Sequence, residues 1–247
     1  MMKKYLYLTI ALFCLYNAPQ AHAAITFIST ASSSKTSSAT STTGNMTTTI
    51  GNLLVDGCLQ TGGGADLTAT TTVTSTDGTV WTQFANVTGT SFGGLTGFYA
   101  IASSTGVVST TCIYGAASND LAQLTMQYSG AQAVLDTTST YQTSTSVTSA
   151  TTTFSTTNAN DVVANMGFAN SDGSLTGVSV PFTLRGKKVG LFGFGGADLI
   201  TSTIQSNQSL NWTFASSPFA EFIGAFKATV TPPASSIAPY CMLVTNS

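Results

Sequence analysis

Apolar residues come in short runs along this chain, broken by Gly, Asn, Asp and Ser. No long stretch repeats them at the three- and four-residue spacing of an amphipathic helix. Val, Ile, Thr and aromatic residues fill the runs, and such side chains suit a pleated surface better than a helix. The pattern predicts strands over 25–29, 45–59, 73–76, 79–85, 96–102, 107–114, 122–128 and 147–154. Further strands are predicted over 162–169, 175–184, 189–194, 198–204, 210–214 and 220–228. Leu121, Leu124, Met126 and Tyr128 mostly alternate with Ala122, Thr125 and Gln127, as on a strand with one buried face. Residues 35–43 read as a polar loop. Asp56-Gly57 predicts a bulge inside its run. Asp77-Gly78 predicts a hairpin turn joining 73–76 to 79–85, and Asp172-Gly173 a second turn. About a dozen strands predict an all-β fold, a two-sheet antiparallel β-sandwich of jelly-roll type. No repeat of solenoid or propeller period is visible.

The ends of the chain differ from its middle. Lys3 and Lys4 precede an apolar run over 5–16, and Ala21-His22-Ala23 follows as a small-x-small exit. This is the layout of a secretory signal peptide over 1–23, cut after Ala23. The run is short for a membrane span, and no later stretch reads as one. The β-sandwich domain is expected over 24–228. Pro232-Pro233 and Pro239 mark an extended tail over 229–247. The expected location is secreted, extracellular or on the cell surface.

Composition narrows the function. Hydrophobic residues are 43% of the chain, which sets it apart from disordered Ser/Thr-rich segments. Charged residues are only 6%, against about a quarter in ordinary domains, and the formal net charge is −2. Nucleic-acid binding needs a basic stripe, and none is present. Arg185, Lys187 and Lys188 form the only local basic cluster, read as a solvated turn. The one histidine, His22, lies in the expected leader, and Glu221 is the one glutamate. Triads that carry protons on imidazole, and histidine zinc sites, are therefore excluded from the mature chain. Glycosidases need two carboxyl groups flanking a sugar bond. Glu221 has no glutamate neighbour, and Asp120, Asp136, Asp161, Asp172 and Asp198 are scattered. No enzyme activity and no cofactor are expected. Asn158-Ala159-Asn160-Asp161 and Asn170-Ser171-Asp172-Gly173 hold oxygens of the kind calcium takes, but these are also ordinary turn residues.

Four stretches resemble a bacterial secreted β-sandwich module, similar to concanavalin-like jelly rolls. They are Gly51-Asn52-Leu53-Leu54-Val55; Asp77-Gly78-Thr79-Val80-Trp81-Thr82; Gln127-Tyr128-Ser129-Gly130 with Val134-Leu135-Asp136; and Asn158-Ala159-Asn160-Asp161-Val162-Val163, with Ala225-Phe226-Lys227 closing the set. Gln127 stands where that pattern commonly has an acid, and Cys58 and Cys112 where it has aliphatics. The resemblance implies an exported module of the adhesion type and no particular ligand.

Sugar binding would use exposed aromatic faces. Trp212 and Trp81 are the first candidates, with Tyr141 and then Tyr99, Tyr114 and Tyr128 behind them; the alternative for each is a place in the core. Gly190–Gly196 lacks the lysine and helix of a phosphate loop and reads as a bulged strand. Asn45, Asn86, Asn207 and Asn211 open glycosylation triplets that chance explains in so Ser/Thr-rich a chain. Once the leader with Cys14 is gone, Cys58, Cys112 and Cys241 remain. Cys58 with Cys112 is the first pairing to consider, two buried free thiols being the alternative; Cys241 is then free or intermolecular. Two roles stay open: a non-catalytic surface-binding or adhesion module, with carbohydrate as a candidate ligand, and a structural subunit assembled by strand addition, for which residues 25–28 offer a strand.

Overall fold

The computed structural model describes residues 21–61, 71–89, 93–170, 175–189 and 192–231, and every regular element among them is a strand. In chain order these are β1 (Ala21–His22), β2 (Thr26–Thr42), β3 (Met46–Thr48), β4 (Leu53–Thr61), β5 (Thr72–Ser75), β6 (Thr82–Gly89), β7 (Gly93–Ile101) and β8 (Gly106–Val108). They continue as β9 (Thr110–Ser129), β10 (Ala131–Phe154), β11 (Asp161–Ala169), β12 (Leu175–Val178), β13 (Thr183–Val189), β14 (Gly193–Thr201), β15 (Gln208–Ala228) and β16 (Val230–Thr231). Residues Ala24–Ala228 form one compact unit. The short pair β1–β16 lies in a separate unit made of residues 1–23 and 229–247, where Ala21 faces Thr231 and His22 faces Val230. Among the described residues no helix is long and apolar enough to cross a membrane. The expected leader up to residue 20, the Asp172-Gly173 turn, Gly190, and the tail from 232 with Cys241 lie outside the described residues.

The main unit is all antiparallel β: two six-stranded sheets, each curled into a half-barrel. The first sheet runs β2-β9-β4-β7-β6, with β5 on β9; the second runs β10-β15-β11-β14-β13, with β12 on β15. The two orders are the same. Each sheet comes from one half of the chain, and its strands are used in the same sequence, so the fold is an internal duplication. The halves meet at Gly130, whose φ of 74° belongs to the left-handed region. A Cβ there would run into the backbone oxygen of Ala24.

The registers align the halves residue by residue. Leu53 lies opposite Tyr128, as Val162 lies opposite Phe226. Cys58 faces Gln123, as Gly167 faces Glu221. Two β-bulges coincide as well. The ladder skips Ile28 in β2 and Asp136 in β10, and it skips Phe84 in β6 and Arg185 in β13.

Strand alternation separates two kinds of interior. Leu53, Val55 and Leu59 of β4, Leu124, Met126 and Tyr128 of β9, Val162, Met166 and Phe168 of β11, and Phe222 and Phe226 of β15 fill the space between the sheets. Their alternate neighbours point into each half-barrel's own hollow. In the second half this holds Val163, Leu210, Trp212, Phe214, Phe219 and Ile223. In the first half it holds Cys58, Phe98, Cys112, Tyr114 and Leu121. A strand covered on both faces reads as a continuous apolar run, which is why residues 53–55 and 162–164 carry no alternation.

Several sequence expectations are corrected. Residues 35–43 are mostly not a loop: β2 runs on to Thr42 along β9, its polar side chains sitting on the outer edge. Asp56-Gly57 makes no bulge, because β4 keeps register with both neighbours there. The Asp77-Gly78 turn exists, with Gly78 N–H donating to Ser75 O at 3.0 Å. Its flanking strands do not form a hairpin, because β5 pairs with β9 and β6 with β7. Residues 175–184 divide at a cis Val180–Pro181 bond. The segment offered for strand addition is largely taken, since Thr26 onward already pairs within the chain.

Candidate functional site

The duplication places a polar cluster at the same point of each hollow. In the first half, buried Asp56 receives hydrogen bonds from Gln123 Nε2 at 3.1 and 3.2 Å and from the Thr125 hydroxyl. In the second half the corresponding pair is Asn165 and Glu221. Asn165 Nδ2 donates to Glu221 Oε2 at 2.9 Å, Thr152 donates to the other oxygen, and Trp212 Nε1 donates to Asn165 Oδ1 at 2.8 Å. Carboxylate and amide have changed strands between the halves. Burial lifts Asp56 and Glu221 to about 7, against the lowering effect of their hydrogen bonds. Asp56, Gln123, Asn165 and Glu221 are all 0% exposed, so both clusters brace the fold from within.

Trp212 is therefore corrected as a sugar platform. It is 0% exposed, and its one polar atom is already bonded. Tyr114 and Tyr128 are buried too. Tyr99 is half-buried against Phe84 and Phe226. Tyr141 is half-buried at 6.5 Å from the Phe219 ring. Arg185 is not a free turn residue: it pairs with buried Asp198 at 2.8 Å and lies 4.4 Å over the Phe27 ring.

Cys58 and Cys112 are joined in a disulfide with Cα atoms 5.9 Å apart. Cys58 sits on β4 and Cys112 on β9, with both sulfurs 3.4 Å from Asp56 Oδ2. The oxidised pair is closed to metal binding, since its sulfurs are no longer thiolates.

Trp81 stands differently. It is half-buried between two small apolar clusters, and its Nε1 donates to Ser75 Oγ at 2.9 Å. Beside it opens a pocket of about 540 Å³, floored by Val73 and Phe98 and walled by Thr71, Thr72, Thr74, Ser75, Thr79, Gln83 and the exposed Val80. Among the described residues, no charged side chain lines it. The turn that shapes it is locked by Asp77, which accepts bonds from Thr79 N–H at 3.1 Å, Thr79 Oγ1 at 2.8 Å and Ser103 Oγ at 3.1 Å. Burial opposes the Asp77 charge, but these donors outweigh it and hold the carboxyl below its ordinary value. The position matching Trp81 in the second half is Phe182, which is buried edge-on to Phe154 beside the shorter β12–β13 connection. Asp77 as the organiser was not foreseen; the Asx-turn spelling Asp77-Gly78-Thr79 was its signal.

One further group of acids is brought together. Asp136 accepts bonds from the backbone N–H of Thr157 at 2.6 Å and of Asn158 at 3.4 Å, and from both of their side chains. Asp161 lies beside it, and Lys227 Nζ is 4.0 Å from Asp136 Oδ1. Of the 158–161 stretch considered for calcium, Asn158 thus helps to cradle Asp136 and Asp161 lies beside it. No family model, curated protein or solved structure matches this chain.

Proposed function

We propose that this chain is an exported, non-catalytic surface-binding module of the concanavalin-like kind, and that the pocket beside Trp81 takes a neutral, hydroxyl-rich ligand of the carbohydrate class. The observation that carries this reading is the pocket's chemistry. Among the described residues, five hydroxyl side chains and one amide surround an indole and a phenyl ring, without a charge. Sugars present hydroxyls at their edges and C–H groups on their faces, and such a lining matches both. Export is supported by the leader-like N-terminus and by a disulfide of the sort that persists in oxidising compartments.

A glycan array probed with the purified chain tests the reading. Binding to neutral glycans is expected, and Trp81→Ala is expected to remove it. Thr74→Arg, on an exposed β5 position, fills the pocket without touching the core and is expected to do the same. Binding that survives both substitutions sinks the assignment of this pocket.

A further inference from the structure

Three ionisable side chains stand in one row across the second sheet. Asp136 is on β10, Lys227 on β15 and Asp161 on β11. Lys227 and Asp161 are direct partners across the ladder. The bulge at Asp136 lets its side chain meet the same row. Asp161 is 0% exposed, and neither of its carboxylate oxygens receives a hydrogen bond. The matching positions of the first half are Ile28, Ser129 and Asn52. That sheet closes the same way with no charge there, so the duplication does not need the trio. An unpaired buried carboxylate is costly, and its retention asks for a reason.

The environment of Asp136 supplies one. Its oxygens face four donors, the N–H groups and side chains of Thr157 and Asn158. Donors so placed stabilise negative charge that develops on a carboxyl oxygen when its carbon is attacked. The Lys227 amine stands 4.0 Å from Oδ1, on a side chain that is 34% exposed. We propose that Lys227 and Asp136 join in an intramolecular isopeptide bond, with Asp161 relaying the protons.

Asp161 takes a proton from the Lys227 ammonium, and the freed amine adds to Cγ of Asp136. A C–N bond forms, and the Thr157 and Asn158 donors hold the charge on the tetrahedral oxygen. Two protons in all pass from nitrogen through Asp161 to the departing oxygen. The C–O bond breaks, one water leaves, and Asp161 is regenerated. Ammonium and carboxylate thus become a neutral amide and water, with no oxidant or cofactor. Burial, with Asp136 beside it, raises Asp161 to about 7, so it can both accept and release a proton near neutrality. The bond would tie the end of β15 to β10 and keep the last strand from peeling away under load.

Intact mass of the denatured full chain tests this. The wild type is expected to be one water lighter than its sequence and disulfide require. Fragmentation should give a branched peptide joining residues 227 and 136. Lys227→Arg, which keeps the charge, and Asp161→Ala should each restore the full mass. A wild type at full mass overturns the proposal, and so does a deficit that persists in Lys227→Arg. A deficit that persists in Asp161→Ala overturns the relay.

Discussion

The two tryptophans show how far a single residue's role depends on its surroundings. Both stand in strand-like runs, and both are candidates for a sugar face by sequence, Trp212 ahead of Trp81. Trp212 is enclosed with Asn165 and Glu221, while Trp81 edges a pocket. Sequence names the side chain, but the turn length beside it decides whether it is covered. Asn165 links three groups, since it donates to Glu221 and to the Phe222 carbonyl and accepts from Trp212. Asn165→Ala leaves two buried polar groups unpaired, and each costs about 1–3 kcal/mol. Urea denaturation should therefore show a loss of about 2–6 kcal/mol. Glu221→Gln should behave otherwise. The first half already uses a glutamine, Gln123, at that place, so the neutral isostere is expected to keep the fold and gain stability at pH 8.

At the scale of elements, bulges and glycines fit the curled sheets together. The Phe84 bulge drives its ring into the space between the sheets, 5.2 Å from Phe222 and 5.6 Å from Phe226. Gly97 and Gly224 make room for it: a Cβ on Gly224 would come within 2.6 Å of Phe84, and one on Gly97 within 2.9 Å. Gly224→Ala is expected to force the ring aside and cost about 1–3 kcal/mol, as overpacking does; thermal unfolding should show it. The disulfide works on another pair of strands. It spans 54 residues of chain, and the chain-entropy model assigns such a loop about 4 kcal/mol. Replacing Cys58 and Cys112 together by Ala should lower the urea midpoint accordingly, and reductant should have no further effect on that variant. The buried strands predicted at 162–169 and 96–102 were legible because short apolar runs mark a covered strand. Pairing of β5 with β9, rather than with its neighbour β6, was not, because a turn motif sets local geometry and not long-range partners.

For the whole molecule, few charges and many buried acids set the response to pH. Asp56, Asp161 and Glu221 have ordinary values of 3.8, 3.8 and 4.5, and each is raised to about 7 in the folded chain. The native state therefore holds protons more tightly than the unfolded chain between these values. Stability from this source is full below about 4, is lost as pH rises through 7, and levels off above. Asp77 and Asp136 are lowered and act oppositely, but only as pH falls below their ordinary value of 3.8. The urea midpoint should thus be higher at pH 5 than at pH 8, and Glu221→Gln should flatten that slope. A chain that is equally stable at both, with the same side chains buried, would contradict it. Sequence by itself determined the class: β-branched runs without helical period, punctuated by Gly and Asp, allow only sheets, and the scarcity of histidine and glutamate narrows the chemistry. Only the tertiary structure decided that the halves repeat, that Asp56–Gln123 and Asn165–Glu221 correspond, and that Asp136, Lys227 and Asp161 share a row. Within the main unit, strand pairing joins residues as far apart as Thr26 and Ser129 through backbone hydrogen bonds that carry no side-chain signature, so register leaves almost no trace in the order of residues.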